Sequence, residues 1–236
     1  MPANSSARSG DSPKPRKPVS VDILDGNWTF AAAALVREAT GQPAVLEYGS
    51  AGLLGVLARE RIARGFRPAE AAAAFVSIDP DNASQVRFPE ALRQRGWAVE
   101  VSDFRATYVN AASFAPAIST DRAVASHGAC IAFLLGAVAA RAQFHDQAPS
   151  VVVVAGGFET APALRALARL PGARVAVAFF RPLLDARWAS VFDEGGVEFV
   201  DLSAASSELF GEAVDFGAIL RHRRGVTRSS ALGDLV

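Results

Sequence analysis

The residues of this chain whose types and spacing can do chemistry are carboxylates and glycines placed where short apolar runs end. Asp25 closes the run from Val19 and passes directly into Gly26 and Asn27, a glycine that permits a tight turn followed by a second polar side chain. Asp79 and Asp81, Asp103 and Asp201 each follow a later apolar run, and Gly156-Gly157 with Glu159 follows the Val-rich stretch Ser150 to Ala155. Carboxylates collected at strand ends suit a hard dication, because Mg²⁺ and Mn²⁺ prefer oxygen ligands and bind through a few acids plus waters. Such a metal activates water and stabilises phosphoryl charge. A lone acid at a strand end also caps the following helix, and Asp79, Asp81, Asp103 and Asp201 are read as caps. Asp25 is set apart by its Asp-Gly-Asn context. Gly156 and Gly157 ahead of a helix suit a phosphate through their backbone N–H groups, and suit a plain strand-to-helix turn equally well. His127 and Cys130 have the spacing of a base and a thiol on one helix face, but the apolar stretch around them predicts a small core cysteine.

These side chains need a frame that brings them together, and the hydropathy pattern supplies one. Val19 to Asp25 reads as a strand, Asn27 to Ala39 and Leu53 to Arg64 as helices, and Ala72 to Asp79 as a strand. Ser84 to Gly96 reads as a helix stopped by its glycine, and Trp97 to Asp103 as an alternating strand. Residues 104 to 119 show no clear period. Asp121 to Arg141 reads as a long apolar helix, Ser150 to Ala155 as a buried strand and Phe158 to Leu170 as a helix. Ala173 to Phe180, Leu183 to Val191 and Gly196 to Asp201 complete strand, helix and strand. Six strands alternating with helices predict an α/β fold with three layers, α/β/α, around a mostly parallel sheet. Ligands of such sheets sit beyond the carboxyl ends of the strands, where Asp25, Glu159 and the paired glycines fall. The folded domain is expected over 19–205, after a disordered basic arm over 1–18 and before a C-terminal extension with a basic tail over 206–236.

At 236 residues and 24.7 kDa, with 50% hydrophobic residues, the chain can bury a substantial core, which rules out a disulfide-stapled miniature and a disordered protein. The 24 basic and 24 acidic residues cancel, but unevenly. Residues 1–18 hold four basic and one acidic, 19–220 hold 16 and 22, and 221–236 hold four and one, giving +3, −6 and +3. Arg221, Arg223 and Arg224 in the last segment suit a phosphate backbone or an acidic partner. Lys14 and Lys17 are the only lysines, which removes a Walker-type phosphate loop, a Schiff-base lysine and a Ser-Lys pair from the folded domain. Cys130 alone makes no intramolecular disulfide and no cysteine-rich zinc site, and fits a reducing compartment. The apolar run Gly128 to Ala140 falls short of the roughly 20 residues a membrane helix needs. The N-terminus lacks the apolar stretch of a secretory signal, so a cytoplasmic protein away from the membrane is expected.

Val21-Asp22-Ile23-Leu24-Asp25-Gly26-Asn27 resembles the opening of NYN-domain proteins, the branch of the PIN-like ribonucleases whose first strand ends in an Asp-Gly-Asn type motif. Ser77-Ile78-Asp79-Pro80-Asp81-Asn82 and the stretch Phe88 to Val101 are similar to that family's second strand, helix and third strand. Val151 to Pro162 resembles its fourth strand and the turn after it, so the similarity runs from about Val19 to about Leu202. The resemblance implies a PIN-like fold and a Mg²⁺ or Mn²⁺ site, but two motifs depart from the pattern. The family's Lys-Gly-x-Asp at the start of the long helix is matched by His127-Gly128-Ala129-Cys130, so an acid has become a cysteine. Its Ser-Gly-Asp-x-Asp-Phe is matched by Ala155-Gly156-Gly157-Phe158-Glu159-Thr160, where one aspartate is glycine and the other glutamate. A further helix acid aligns with Gly136. Only Asp25 and, as a longer carboxylate, Glu159 are retained.

The expectation is a protein with an eroded metal site that binds RNA or a protein partner. The enzymatic alternative is an active endoribonuclease in which Asp25, Glu159 and Asp121 hold the metal and Asn27 positions a ligand. A second alternative keeps only the sheet and binds a small phosphorylated ligand at Gly156 and Gly157. A homo-oligomer is left open.

Overall fold

The central runs of the sheet are buried on both faces, which only a parallel sheet covered by helices on each side allows. The structure is a computed structural model that describes residues 19–41, 43–78, 83–103 and 127–221. The strands are β1 (Ser20–Asp25), β2 (Ala71–Ile78), β3 (Ala98–Asp103), β4 (Ser150–Val154), β5 (Arg174–Phe179) and β6 (Val197–Asp201). Their order is β3-β2-β1-β4-β5-β6, every pair parallel. Every residue of β1 and β4 is buried.

The helices are α1 (Gly26–Thr40), α2 (Leu53–Ala63), α3 (Ala83–Gln94), α4 (Gly128–Phe144), α5 (Ala161–Ala168), α6 (Trp188–Asp193) and α7 (Ser206–Phe210). The three-layer α/β/α reading therefore holds. None of the helices among the described residues is long and apolar enough to cross a membrane. The expected helix over Leu183–Val191 is instead a 3-10 turn, Arg181–Leu183, followed by α6. The Asp185 carboxylate causes the break, accepting the Arg187 backbone N–H at 2.9 Å and so closing a local turn that competes with the helix. Helix α5 starts later than Phe158 because Pro162 favours the first helical turn. The expected long helix from Asp121 is described from Gly128 onward and runs on to Phe144.

Residues 206–221, the described part of the expected extension, pack onto the core. Leu209, Phe216 and Ile219 are buried, and the Phe216 ring lies 4.5 Å from that of Phe180. At the amino ends of the strands, a single arginine of α2 locks the layers. Arg61 is 1% exposed and donates to Asp22 Oδ1 at 2.7 Å, to the Val21 carbonyl at 2.7 Å, to the Arg67 carbonyl at 2.8 Å and to Ser150 Oγ at 3.0 Å. The opposite, carboxyl ends of the strands are thereby left to carry the site.

Candidate functional site

The strand order reverses direction between β1 and β4, and that crevice at the carboxyl ends is where α/β sheets of this kind bind ligands. Asp25, the last residue of β1, stands there, 1% exposed. Its oxygens are occupied from within the chain. Oδ1 accepts the Asn27 backbone N–H at 3.3 Å, which caps α1, and lies 3.1 Å from His127 Nδ1. Oδ2 accepts the His127 backbone N–H at 3.1 Å. A carboxylate only accepts, so the imidazole carries its proton on Nδ1. In the neutral ring Nε2 is then an acceptor, and two hydroxyls reach it: Ser77 Oγ at 2.9 Å and Ser102 Oγ at 3.1 Å. The two serines are register partners on β2 and β3, with 3.2 Å between their hydroxyls.

Carboxylate, imidazole and hydroxyl in this order match the arrangement that activates a serine nucleophile. Here Nε2 is shared by two hydroxyls, and Asp25, His127 and Ser77 are all buried. The group thus forms an internal hydrogen-bond network that ties β1, β2, β3 and the start of α4 together. Asn27, expected to position a ligand, extends it by accepting the Ser77 backbone N–H on Oδ1 at 3.1 Å. Ser77, Ser102 and His127 escaped the sequence reading as a group. The signal available was two serines one residue from the ends of neighbouring strands and a histidine at the opening of the long helix.

Glu159 lies in the turn between β4 and α5 and is half-buried. Burial pushes its carboxyl above the ordinary range, and the nearby Asp25 and Asp185 push the same way, while Arg187 pulls against them. Arg187 itself is committed to Asp185, with its NH2 group 2.7 Å from Oδ2, and its guanidinium lies 4.8 Å from the Phe158 ring centre. Gly156 and Gly157 are required by close packing. A Cβ at Gly156 would come within 2.6 Å of the Phe179 ring, and one at Gly157 within 2.2 Å of the Glu159 carboxylate and 2.6 Å of Trp28. Their carbonyls accept from the Asp185 N–H at 3.1 Å and from Trp188 Nε1 at 3.1 Å. A carboxylate folded over this turn opposes a phosphate there, which favours the plain-turn reading of the glycines.

Cys130, expected in the core, is exposed on α4, while His127 just before that helix is buried. Asp201 caps the turn Leu202–Ala205 by accepting the Ser203 N–H at 3.0 Å. Arg221 faces Asp215 across 3.6 Å, both exposed. Asp79, Asp81, Asp121, Arg223 and Arg224 lie outside the described residues, as does the Asp103 side chain. Among the described residues no three His, Cys, Asp or Glu side chains converge as a metal-holding group. The donor set at Asp25 also fits a dication poorly: three N–H dipoles aim their positive ends at the oxygens a cation would need.

No protein-family model matches the chain, and no curated protein does. A crystal structure of a protein of unknown function from Vibrio parahaemolyticus RIMD 2210633 is similar in fold. It has a TM-score of 0.50 and 16% sequence identity, over 78% of this chain and 92% of that one. At that identity the likeness bears on the fold alone.

Proposed function

We propose that this chain is a cytoplasmic, PIN-like protein of the NYN type whose metal site has been replaced by an internal Asp25–His127 pair, and that it works by holding RNA rather than cutting it. The observation that carries this reading is the engagement of both Asp25 oxygens by N–H donors of Asn27 and His127 at 3.1–3.3 Å. A metal ligand must offer free lone pairs and room for a hydrated ion. The acid is instead sealed at the end of its strand. Glu159, the other retained carboxylate, is disfavoured as an anion by burial and by its acidic neighbours. RNA is the favoured partner because residues 1–18 and 221–236 each carry a net +3, against −6 over residues 19–220.

The test is an incubation of the purified full chain with single-stranded RNA and Mn²⁺. No cleavage above buffer is expected, with Asp25→Asn indistinguishable from the parent. Cleavage that Asp25→Asn abolishes would establish the active endoribonuclease instead. Absence of RNA binding at low salt would move the reading to a protein partner.

A further inference from the structure

Helix α4 turns outward a face that the other described residues leave bare. Phe133 is 82% and Phe144 85% exposed, and Cys130, Gly136, Ala137 and Ala140 are exposed with them. At the helical turn of 3.6 residues these positions fall within an arc of about 120° that contains no charged side chain. Single exposed apolar residues are ordinary, but a stripe running most of the length of a 17-residue helix is the mark of a contact surface.

Two features say what covers it. Gly136 sits in the middle of the helix, and a Cβ built there meets nothing within 4 Å. Packing among the described residues does not require glycine, although glycine weakens a helix relative to alanine. Its use is to let another backbone approach. The second feature is the order of sizes. About the midpoint between Gly136 and Ala137, Phe133 falls opposite Ala140, Phe144 opposite Ala129, and Gly136 opposite Ala137. Two copies of α4 crossing antiparallel on a two-fold axis at that midpoint therefore set each phenyl ring on a methyl group of the other copy. A surface that fits itself in this way needs no other partner.

We propose that α4 is the interface of a homodimer whose two-fold axis passes beside Gly136 and Ala137. Aromatic side chains cover roughly 150–250 Å² each, so the four rings of the pair bring roughly 600–1,000 Å². With the small residues between them the contact reaches the low end of specific interfaces, about 1,200 Å² in total. A reversible dimer follows. The inference stands apart from the reading of Asp25, since α4 contributes only its first turn to that site and the stripe lies on its outer face.

Sedimentation velocity of the full chain up to about 100 μM spans the micromolar affinities that small interfaces give. A concentration-dependent dimer is expected, and Phe133→Glu should weaken it by roughly tenfold or more, as removal of a central aromatic anchor does. Because Phe133 is 82% exposed, the variant should melt at the temperature of the parent at concentrations low enough to keep the parent monomeric. In a Cys130→Ser background, Ala137→Cys should form a disulfide-linked dimer under mild oxidation, while Ala189→Cys, exposed on α6, should not. A chain that stays monomeric throughout, a dimer indifferent to Phe133→Glu, or equal cross-linking at both cysteines would overturn the proposal.

Discussion

Asp25 and Glu159 are acids at the same end of the sheet, and the fold treats them oppositely. Asp25 receives three N–H donors, whereas Glu159 is half-buried beside Asp25 and Asp185, with Arg187 drawn away to Asp185. The consequence for stability follows from proton linkage. The folded chain holds the Glu159 proton more tightly than the unfolded chain, whose carboxyl titrates near 4.5. Stability from this group is therefore complete below about pH 4.5 and is lost as pH rises through the raised folded value. Glu159→Gln removes that loss. The variant should melt above the parent at pH 7, and the gap should close as the pH falls to 4.5 and below. Thermal melts across that series check it, and identical melting temperatures at pH 7 would show that neither burial nor the neighbouring acids strain Glu159. The same residues show what a sequence exposes at this scale. Asp25 was legible because its motif is local, whereas its partner His127 lies 102 residues away and meets Ser77 across another 50, contacts that only the assembled sheet creates.

Elements were more legible than side chains, because periodicity is a local property. Val-rich runs buried on both faces announced β4 and β5, and the alternation with helices announced the parallel sheet. The break before α6 was hidden because a side-chain turn at Asp185 leaves no trace in hydropathy. Helix α2 was found while its most consequential residue was not. In its sequence Arg61 looks like a surface charge and Ile62 like core, yet Arg61 is 1% and Ile62 74% exposed. The reason is that β1 and β4 present a carboxylate, carbonyls and a hydroxyl at their amino ends, and only a guanidinium has enough donors in a fixed fork to meet them all. Burial pushes the Asp22 carboxyl upward and Arg61 holds it down. Arg61→Met leaves that carboxylate unpaired in the core, and the expected loss is about 3–5 kcal/mol in urea denaturation. Asp22→Leu in the same chain should recover much of it, since an apolar pair carries no desolvation penalty. If the double variant is as unstable as the single one, the carbonyl contacts and not the ion pair hold α2 in place.

For the whole molecule the governing quantity is the distribution of charge. Net zero is the sum of an acidic body, −6 over residues 19–220, and two basic ends of +3 each. The body repels a polyanion, so affinity for RNA has to come from the ends and to depend on salt. Single-stranded RNA releases counterions with a slope in log affinity against log salt of about −0.7 for each phosphate neutralised. The arm over 1–18 holds four basic residues, and residues 222–236 hold Arg223, Arg224 and Arg228. Full engagement of the arm therefore adds a slope of at most about −3, and of the tail about −2. Fluorescence anisotropy with labelled single-stranded RNA between about 50 and 200 mM salt measures both. Deleting either segment should weaken binding and flatten the slope, and deleting both should bring the chain near the detection limit. The α4 dimer adds a further term, because two copies present four basic ends to one strand and raise the effective concentration of each. Phe133→Glu should then lower RNA affinity while leaving the charge of each end intact. Tail deletions that leave both affinity and slope unchanged would remove RNA as the ligand of these two ends, since residues 19–220 together carry a net −6.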